Sequence, residues 1–296
     1  MTNELTHPFD PAFRLDHPLS GPAAVLFNSP HSGACYPQTF LSASRLDAIS
    51  LRRSEDVDVH ALFGNVTAMG GSLMQVEFPR AYIDVNREPY ELDPRMFSSR
   101  LPPFANTRSL RVASGLGTIP RTVGDGNDIY REALTIDEAL DRIETLYKPY
   151  HRALARALLT AQRRHGLAVL VDCHSMPSAA VARSESFQCD IVIGDRFGTS
   201  TDPSIPDFIE ASLRDLGYVV ARNRPYAGGY ITEHYGNPDT GIHAVQIEIN
   251  RGLYLDERRL ERLPGFEDLQ RDLTLMASEL IAFINAELQP ISLAAE

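Results

Sequence analysis

Short apolar runs alternate along this chain with longer stretches of helical periodicity. Residues 23–27, 73–78, 169–171, 189–193 and 218–221 are compact apolar segments bounded by turn residues, and each reads as a strand. Residues 243–249 alternate their faces, also as a strand does, and place Glu248 near the end. Helices are predicted over 45–51 and 57–69. Ser54-Glu55-Asp56 sits ahead of the second, where acidic residues suit the N-terminus, and Gly70-Gly71 stops it. The clearest helix spans 135–165. Thr135 and Glu138 form a capping box, and Ile136, Ala139, Leu140, Ile143, Tyr147, Tyr150, Leu154 and Leu158 recur at helical spacing. Pro149 is expected to kink it, and Gly166 to end it. Further helices are expected over 207–216 and 266–288.

Between residues 88 and 128 the pattern dissolves into Pro, Gly, Ser and Arg. A stretch that long without regular structure is usually functional. No composition break or internal repeat divides the chain. The expectation is one α/β domain over residues 1–296, with a mixed sheet covered on both faces. Residues 1–22 and 289–296 read as peripheral tails, the last of them frayed.

Composition narrows the function. Hydrophobic residues make up 43% and charged residues 23%, as in ordinary soluble proteins. A formal net charge of −11 argues against nucleic acid or an anionic membrane as partner, but permits a small anionic substrate held by local arginines. No apolar run approaches the roughly 20 residues that span a bilayer, and the N-terminal stretch has no signal-peptide core. Cys35, Cys173 and Cys189 are odd in number and lack CxxC spacing, so reduced thiols and a cytoplasmic location are expected. Cys173 adjoins His174, yet neighbours on a strand point to opposite faces; a buried small hydrophobe is the preferred reading.

Two strands run directly into a histidine. Val169-Leu170-Val171 leads to Asp172-Cys173-His174-Ser175, and the first strand leads to Asn28-Ser29-Pro30-His31-Ser32-Gly33. In open α/β sheets, ligands bind beyond the carboxyl ends of strands. His31, His174 and one acid, Glu55 or Asp56, are the residue types of a catalytic zinc site. Glu248 would be its general base, and Asp172 would orient His174. Their spacing matches no short zinc motif such as HExxH, and turn histidines with a rim carboxylate are the alternative. Magnesium suits imidazole less well than zinc. A serine triad lacks its Gly-x-Ser-x-Gly elbow, and a dinucleotide site lacks G-x-G-x-x-G. Arg80, Arg87, Arg121, Arg224 and Arg251 fall in loops or at strand ends, where guanidinium groups could recognise carboxylates. His151 on the long helix reads as packed or hydrogen-bonded.

Five segments in order carry a resemblance: residues 28–33, Arg80-Ala81-Tyr82-Ile83-Asp84-Val85-Asn86-Arg87, residues 172–177, Gly228-Gly229-Tyr230-Ile231-Thr232, and Gln246-Ile247-Glu248-Ile249-Asn250-Arg251. Together they resemble the N-formylglutamate amidohydrolase family, which is similar to zinc carboxypeptidases and aspartoacylase-like enzymes. The resemblance implies a three-layer α/β/α sandwich with a mixed, mostly parallel central sheet. It also implies one zinc ion, which cobalt could replace, held by His31, His174 and Asp56. Glu55 and Asp58 are the alternatives to Asp56. Glu248 would be the catalytic glutamate, and Arg80 would stabilise the oxyanion. Asn86 and Arg87 would grip the substrate α-carboxylate, with Arg224, Tyr226 and Gly229 toward its other end. The implied reaction releases formate and glutamate from N-formyl-L-glutamate, as in histidine degradation. A deacylase for another N-acyl amino acid and a non-catalytic metal- or amino-acid-binding protein are the competing readings.

Overall fold

The computed structural model describes residues 8–124, 126–181 and 189–287. The chain gathers into two compact units interleaved along the sequence. One combines Pro30–Val57 and Gln75–Ala153 with the segment ending at Arg14; the other combines Leu15–Ser29, Asp58–Met74 and the chain from Leu154 onward.

Seven strands form the main sheet: β1 (Phe13–Asp16), β2 (Val25–Ser29), β3 (Ser72–Val76), β4 (Ala168–Met176), β5 (Ile191–Gly194), β6 (Val220–Arg222) and β7 (Ile242–Asn250). Their order is β1-β3-β2-β4-β7-β5-β6. β4 runs parallel to both β2 and β7, β5 runs parallel to β6, and β5 meets β7 antiparallel. The fold is therefore α/β with a mixed, mostly parallel sheet. β1 lies within the stretch read as an N-terminal tail; residues 1–7 and the expected C-terminal tail lie outside the described residues.

β4 explains itself from the sequence. All nine of its residues are buried, as in a strand covered on both faces. It runs further than the apolar segment alone suggested, because Asp172 and His174 are hydrogen-bonded to each other and stay within the ladder. In the same unit, the helix Phe266–Glu287 buries Leu269, Leu273, Met276, Ala277, Leu280, Ile281 and Ile284 at helical spacing. It meets the helix Ser204–Asp215 through stacked Phe208 and Phe283, with Ser212 donating to Glu279 at 2.6 Å.

Two expected helices differ from what forms. The pattern over 57–69 becomes a single helical turn, Val59–Leu62, followed by successive tight turns in which Gly64, Val66, Ala68 and Met69 each bond three residues back. Gly64, Asn65 and Thr67 are poor helix formers, so the apolar spacing there did not suffice. At Pro149, where a kink is expected, the long helix continues with a π turn just ahead of it. It runs as Ile136–Arg142, a π turn at Ile143–Tyr147, and Lys148–His165. Pro149 has no N–H, and its ring would crowd the carbonyl four residues back; the widened turn falls where that strain would arise. Thr135 caps the start by accepting from the Glu138 amide at 3.2 Å.

The irregular stretch over 88–128 is built rather than loose. The Thr118 amide bonds the Glu91 carbonyl at 2.8 Å, Asn106 bonds Tyr90 at 2.8 Å, and Ile129 bonds Arg121 at 2.8 Å. Leu92, Ile119, Val123 and Ile129 are buried beneath it. Asp93 accepts from Arg95 and from Arg121, whose Nε lies 2.8 Å away; Arg121 is thus paired with carboxylates of its own chain, Asp128 included. No helix among the described residues is long and apolar enough to cross a membrane.

Candidate metal centre

In the first unit the site is built around His31, just past the end of β2. The turn that carries it requires Gly33: a Cβ there would lie 2.0 Å from the Phe78 carbonyl oxygen. The segment bearing the acids is pinned to this turn twice. The Asp56 amide donates to the His31 carbonyl at 3.0 Å, and the Ser32 hydroxyl donates to the Asp56 carbonyl at 3.0 Å. These two bonds aim Asp56 at His31, with Asp56 Oδ2 3.4 Å from His31 Nδ1. The other ring nitrogen, Nε2, meets Asp84 Oδ1 at 2.7 Å. A carboxylate on one nitrogen fixes the tautomer and turns the other toward a metal.

Asp84 is itself held in place. Its Oδ1 accepts from the Asn86 amide at 2.9 Å, and its Oδ2 accepts from Arg80 Nε at 3.0 Å, with Arg87 Nη2 at 3.4 Å. Burial alone would raise the Asp84 pKa, but Arg80, Arg87 and His31 together outweigh it and hold the carboxyl well below its usual range. Arg87 is buried, donating from Nε to the Leu116 carbonyl at 2.8 Å and from Nη1 to the Asn86 carbonyl at 2.7 Å. Burial, with Arg80 and Arg111 nearby, lowers its pKa to about 10, so it stays cationic at neutral pH. His151, as expected, is hydrogen-bonded, its Nε2 lying 2.9 Å from the Val85 carbonyl.

The acids on either side of Asp56 point elsewhere. Glu55 accepts from Arg52 Nε at 3.1 Å on both oxygens, and burial together with that carboxylate pushes the nearby Tyr36 hydroxyl's pKa up. Asp58 adopts a left-handed backbone and accepts from Arg262 Nε at 2.6 Å.

In the second unit, β2, β4 and β7 carry the polar groups in rows. Register aligns Asn28 with Asp172 and Asp172 with Gln246; one row further along, His174 aligns with Glu248. His174 Nε2 bonds Asp172 Oδ2 at 2.8 Å, while Asp172 Oδ1 accepts from Asn28 Nδ2 at 2.8 Å. His174 is thereby oriented as His31 is, leaving Nδ1 as the atom it could offer a metal ion. Glu248 is buried and accepts from Gln246 Nε2 at 2.8 Å. Gly229 donates its amide to Gln246 Oε1 at 2.7 Å. Arg251 is also buried, donating from Nε to the Ser175 hydroxyl at 3.0 Å. Arg224 is exposed, whereas Tyr226 is half-buried and packs on Met176, Val181, Cys189 and Val192. The Cys173 thiol is fully buried, and burial first, then Asp172, pushes its pKa well up, as befits an inert core residue.

Among the described residues, His31, Asp56 and His174 form a buried group that could hold a metal ion. Two imidazoles and a carboxylate, each histidine backed by a second carboxylate, are a donor set that suits zinc-type chemistry.

The model of N-formylglutamate amidohydrolases matches residues 23–255. This chain belongs to that family. It is 27% identical over 241 residues to the N-formylglutamate deformylase of Pseudomonas aeruginosa, covering 80% of this chain and 84% of the relative. The Pseudomonas putida N-formylglutamate deformylase is also 27% identical, over 266 residues, with 88% and 92% covered. Among solved structures, an N-formylglutamate amidohydrolase from Ralstonia eutropha superposes with a TM-score of 0.88 at 37% identity, covering 93% of this chain and 99% of that one. A gene product from Agrobacterium tumefaciens shares the fold, with a TM-score of 0.64 at 20% identity over 94% and 96% of the two chains.

Three residues that shape this amidohydrolase site were quoted in its motifs without a role: Asn28, Asp84 and Gln246. Asp84 could have been found as the acid between Arg80 and Arg87, at helical-turn distance from both. Gln246 stands two residues before Glu248 on one strand, the same offset that separates Asp172 from His174.

Proposed function

We propose that this chain is a metal-dependent amidohydrolase that cleaves the N-formyl amide of N-formyl-L-glutamate, yielding formate and glutamate. The observation that carries the reading is the His31, Asp56 and His174 group with a carboxylate behind each histidine. Membership of the family and the names of its Pseudomonas relatives support the substrate. His31, Asp56 and His174 would hold one zinc ion, and cobalt is the expected substitute. When bound, zinc supplies Lewis-acid polarisation of the amide carbonyl and acidifies water.

The chain's own groups perform the remaining work. Glu248 takes the proton of the attacking water and returns it to the departing amide nitrogen, the role of a general base that becomes an acid. Arg80, fixed at Nε by Asp84, faces the charge that develops on the carbonyl oxygen. Asn86 and Arg87 bind the substrate α-carboxylate, and Arg224, Tyr226 and Gly229 serve its other end. The substrate is a small anion, which suits a local cluster of arginines in an acidic chain. A single-domain enzyme working in the cytoplasm remains the reading of the whole chain.

The test is formate release from N-formyl-L-glutamate by the purified protein. Chelation should abolish it, and zinc or cobalt should restore it. Full turnover in verified metal-free protein overturns the metal reading, while a preference for N-acetyl over N-formyl amino acids overturns the substrate. Glu248→Gln should lose most of kcat while metal content stays at the wild-type level; normal turnover removes Glu248 as base.

A further inference from the structure

β4 and β7 carry the same device twice. On β4, Asp172 reaches forward two residues along one strand face to hold the His174 ring at 2.8 Å. On β7, Gln246 reaches forward two residues to hold the Glu248 carboxylate at 2.8 Å. Register places Asp172 opposite Gln246 and His174 opposite Glu248, so the two supports share one row and the two supported groups share the next. A two-residue offset keeps both members on one face of a strand.

Gln246 has a second attachment. Its Oε1 accepts from the Gly229 amide at 2.7 Å, and the Thr232 hydroxyl lies 3.4 Å away. A backbone N–H can only donate, so the carbonyl oxygen of the Gln246 amide must face Gly229 and its NH2 must face Glu248. The amide cannot flip without losing both bonds. Gln246 is itself buried, so each lost bond would leave an unsatisfied polar group.

We infer that Gln246 is a positioning residue that couples the Gly228-Gly229 turn to Glu248: its nitrogen end orients the base, and its oxygen end holds the turn that contacts the substrate. This rests on Glu248 and Gly229 having the roles proposed above. The two ends of one amide then carry separate kinetic signatures. Gln246→Glu keeps an acceptor for Gly229 but sets a second carboxyl group against Glu248, which either repels it or holds a shared proton on it, so that Glu248 no longer acts freely as a base. Gln246→Met has similar length and removes both the acceptor and the donor.

The experiment compares kcat and KM for N-formyl-L-glutamate in zinc-loaded wild-type, Gln246→Glu, Gln246→Met and Glu248→Gln proteins, with bound metal and Tm measured alongside. Loss of a residue that orients a site group typically costs about 10–100-fold, and Gln246→Glu should lose kcat in that range with KM unchanged. Gln246→Met should lose kcat similarly and also raise KM. Metal content should match wild type in both. If Glu248→Gln is inactive while Gln246→Met keeps wild-type kcat and KM, the inference fails and the base assignment survives. Activity losses in both variants that merely track lost metal or lowered Tm would show a structural role and overturn it too. Normal turnover in Glu248→Gln removes the base, and the inference falls with it.

Discussion

His31 and His174 belong to one potential metal group but are supported in contrasting ways. His174 sits within a strand, and its carboxylate partner is two residues away on the same face. The pleat alone delivers that partner. His31 sits in a turn beyond a strand end, and its partner Asp84 comes from 53 residues further along the chain. A loop histidine gets no such help from regular structure. Asp84 is also the buried hub of a charge cluster with Arg80 and Arg87, whereas Asp172 accepts its other side-chain hydrogen bond from the neutral amide of Asn28. The same chemical task is thus done once by local geometry and once by a long-range network that also bears on folding.

That contrast can be broken most decisively at the metal. Asp56→Asn should leave purified protein without bound metal or turnover, while Glu55→Gln should keep both, because Glu55 is engaged by Arg52. Equal loss in the two variants, read by elemental analysis, would mean the pinning of residue 56 does not select the ligand.

Next in size is the pair of supporting carboxylates. Asp84→Ala would leave the buried Arg87 cation without its carboxylate, a change expected to cost about 3–5 kcal/mol of stability. Asp172→Asn keeps an acceptor for Asn28 and should leave stability near wild type, but weaken metal affinity by about 10–100-fold. Denaturant unfolding and metal titration separate the two; equal destabilisation would erase the distinction between network and strand.

A pH dependence sharpens the same point. Asp84 has a native pKa held below its unfolded value, so its contribution to stability is fully present above about pH 4 and is lost as pH falls toward the depressed native value. In metal-free protein, Asp84→Asn should flatten the acid limb of the stability profile. A limb unchanged from wild type would assign acid unfolding to other carboxylates. The smallest effect is expected from Ser32→Ala, which removes one hydroxyl bond to the Asp56 carbonyl. It should cost about 1 kcal/mol and weaken metal binding only a few-fold; an unchanged metal titration would make the amide of Asp56 the sole effective pin.

Legibility in the sequence follows the same division. Apolar runs marked β2, β3 and the first part of β4, because buried strands leave continuous hydrophobic segments, and alternation marked β7. Asp172 was legible as the partner of His174 because a strand's two-residue period is a local property. Adjacent acids at Glu55 and Asp56 gave no local reason to choose, and the choice came from a carbonyl and a hydroxyl in the His31 turn. Asp84 lay in a quoted motif without a role, since nothing nearby in the chain shows that its partner is His31. The 88–128 stretch read as open loop because isolated long-range backbone bonds leave no periodic trace.

The π turn at Ile143–Tyr147 lets the long helix hold one residue more than regular α-helical winding would. Tyr147 donates its hydroxyl to the Arg87 carbonyl at 2.6 Å, and His151 reaches the Val85 carbonyl at 2.9 Å, so this helix braces both sides of the Asn86-Arg87 segment. Deleting one residue of the turn would let a regular α-helix form with its two halves still facing almost as before, because five residues of π turn wind the chain about as far as four of α-helix. A deletion at 148–150, in the regular helix, would instead carry His151 about 100° around the axis and away from the Val85 carbonyl. The same one-residue loss should therefore be tolerated far better inside the π turn than just after it.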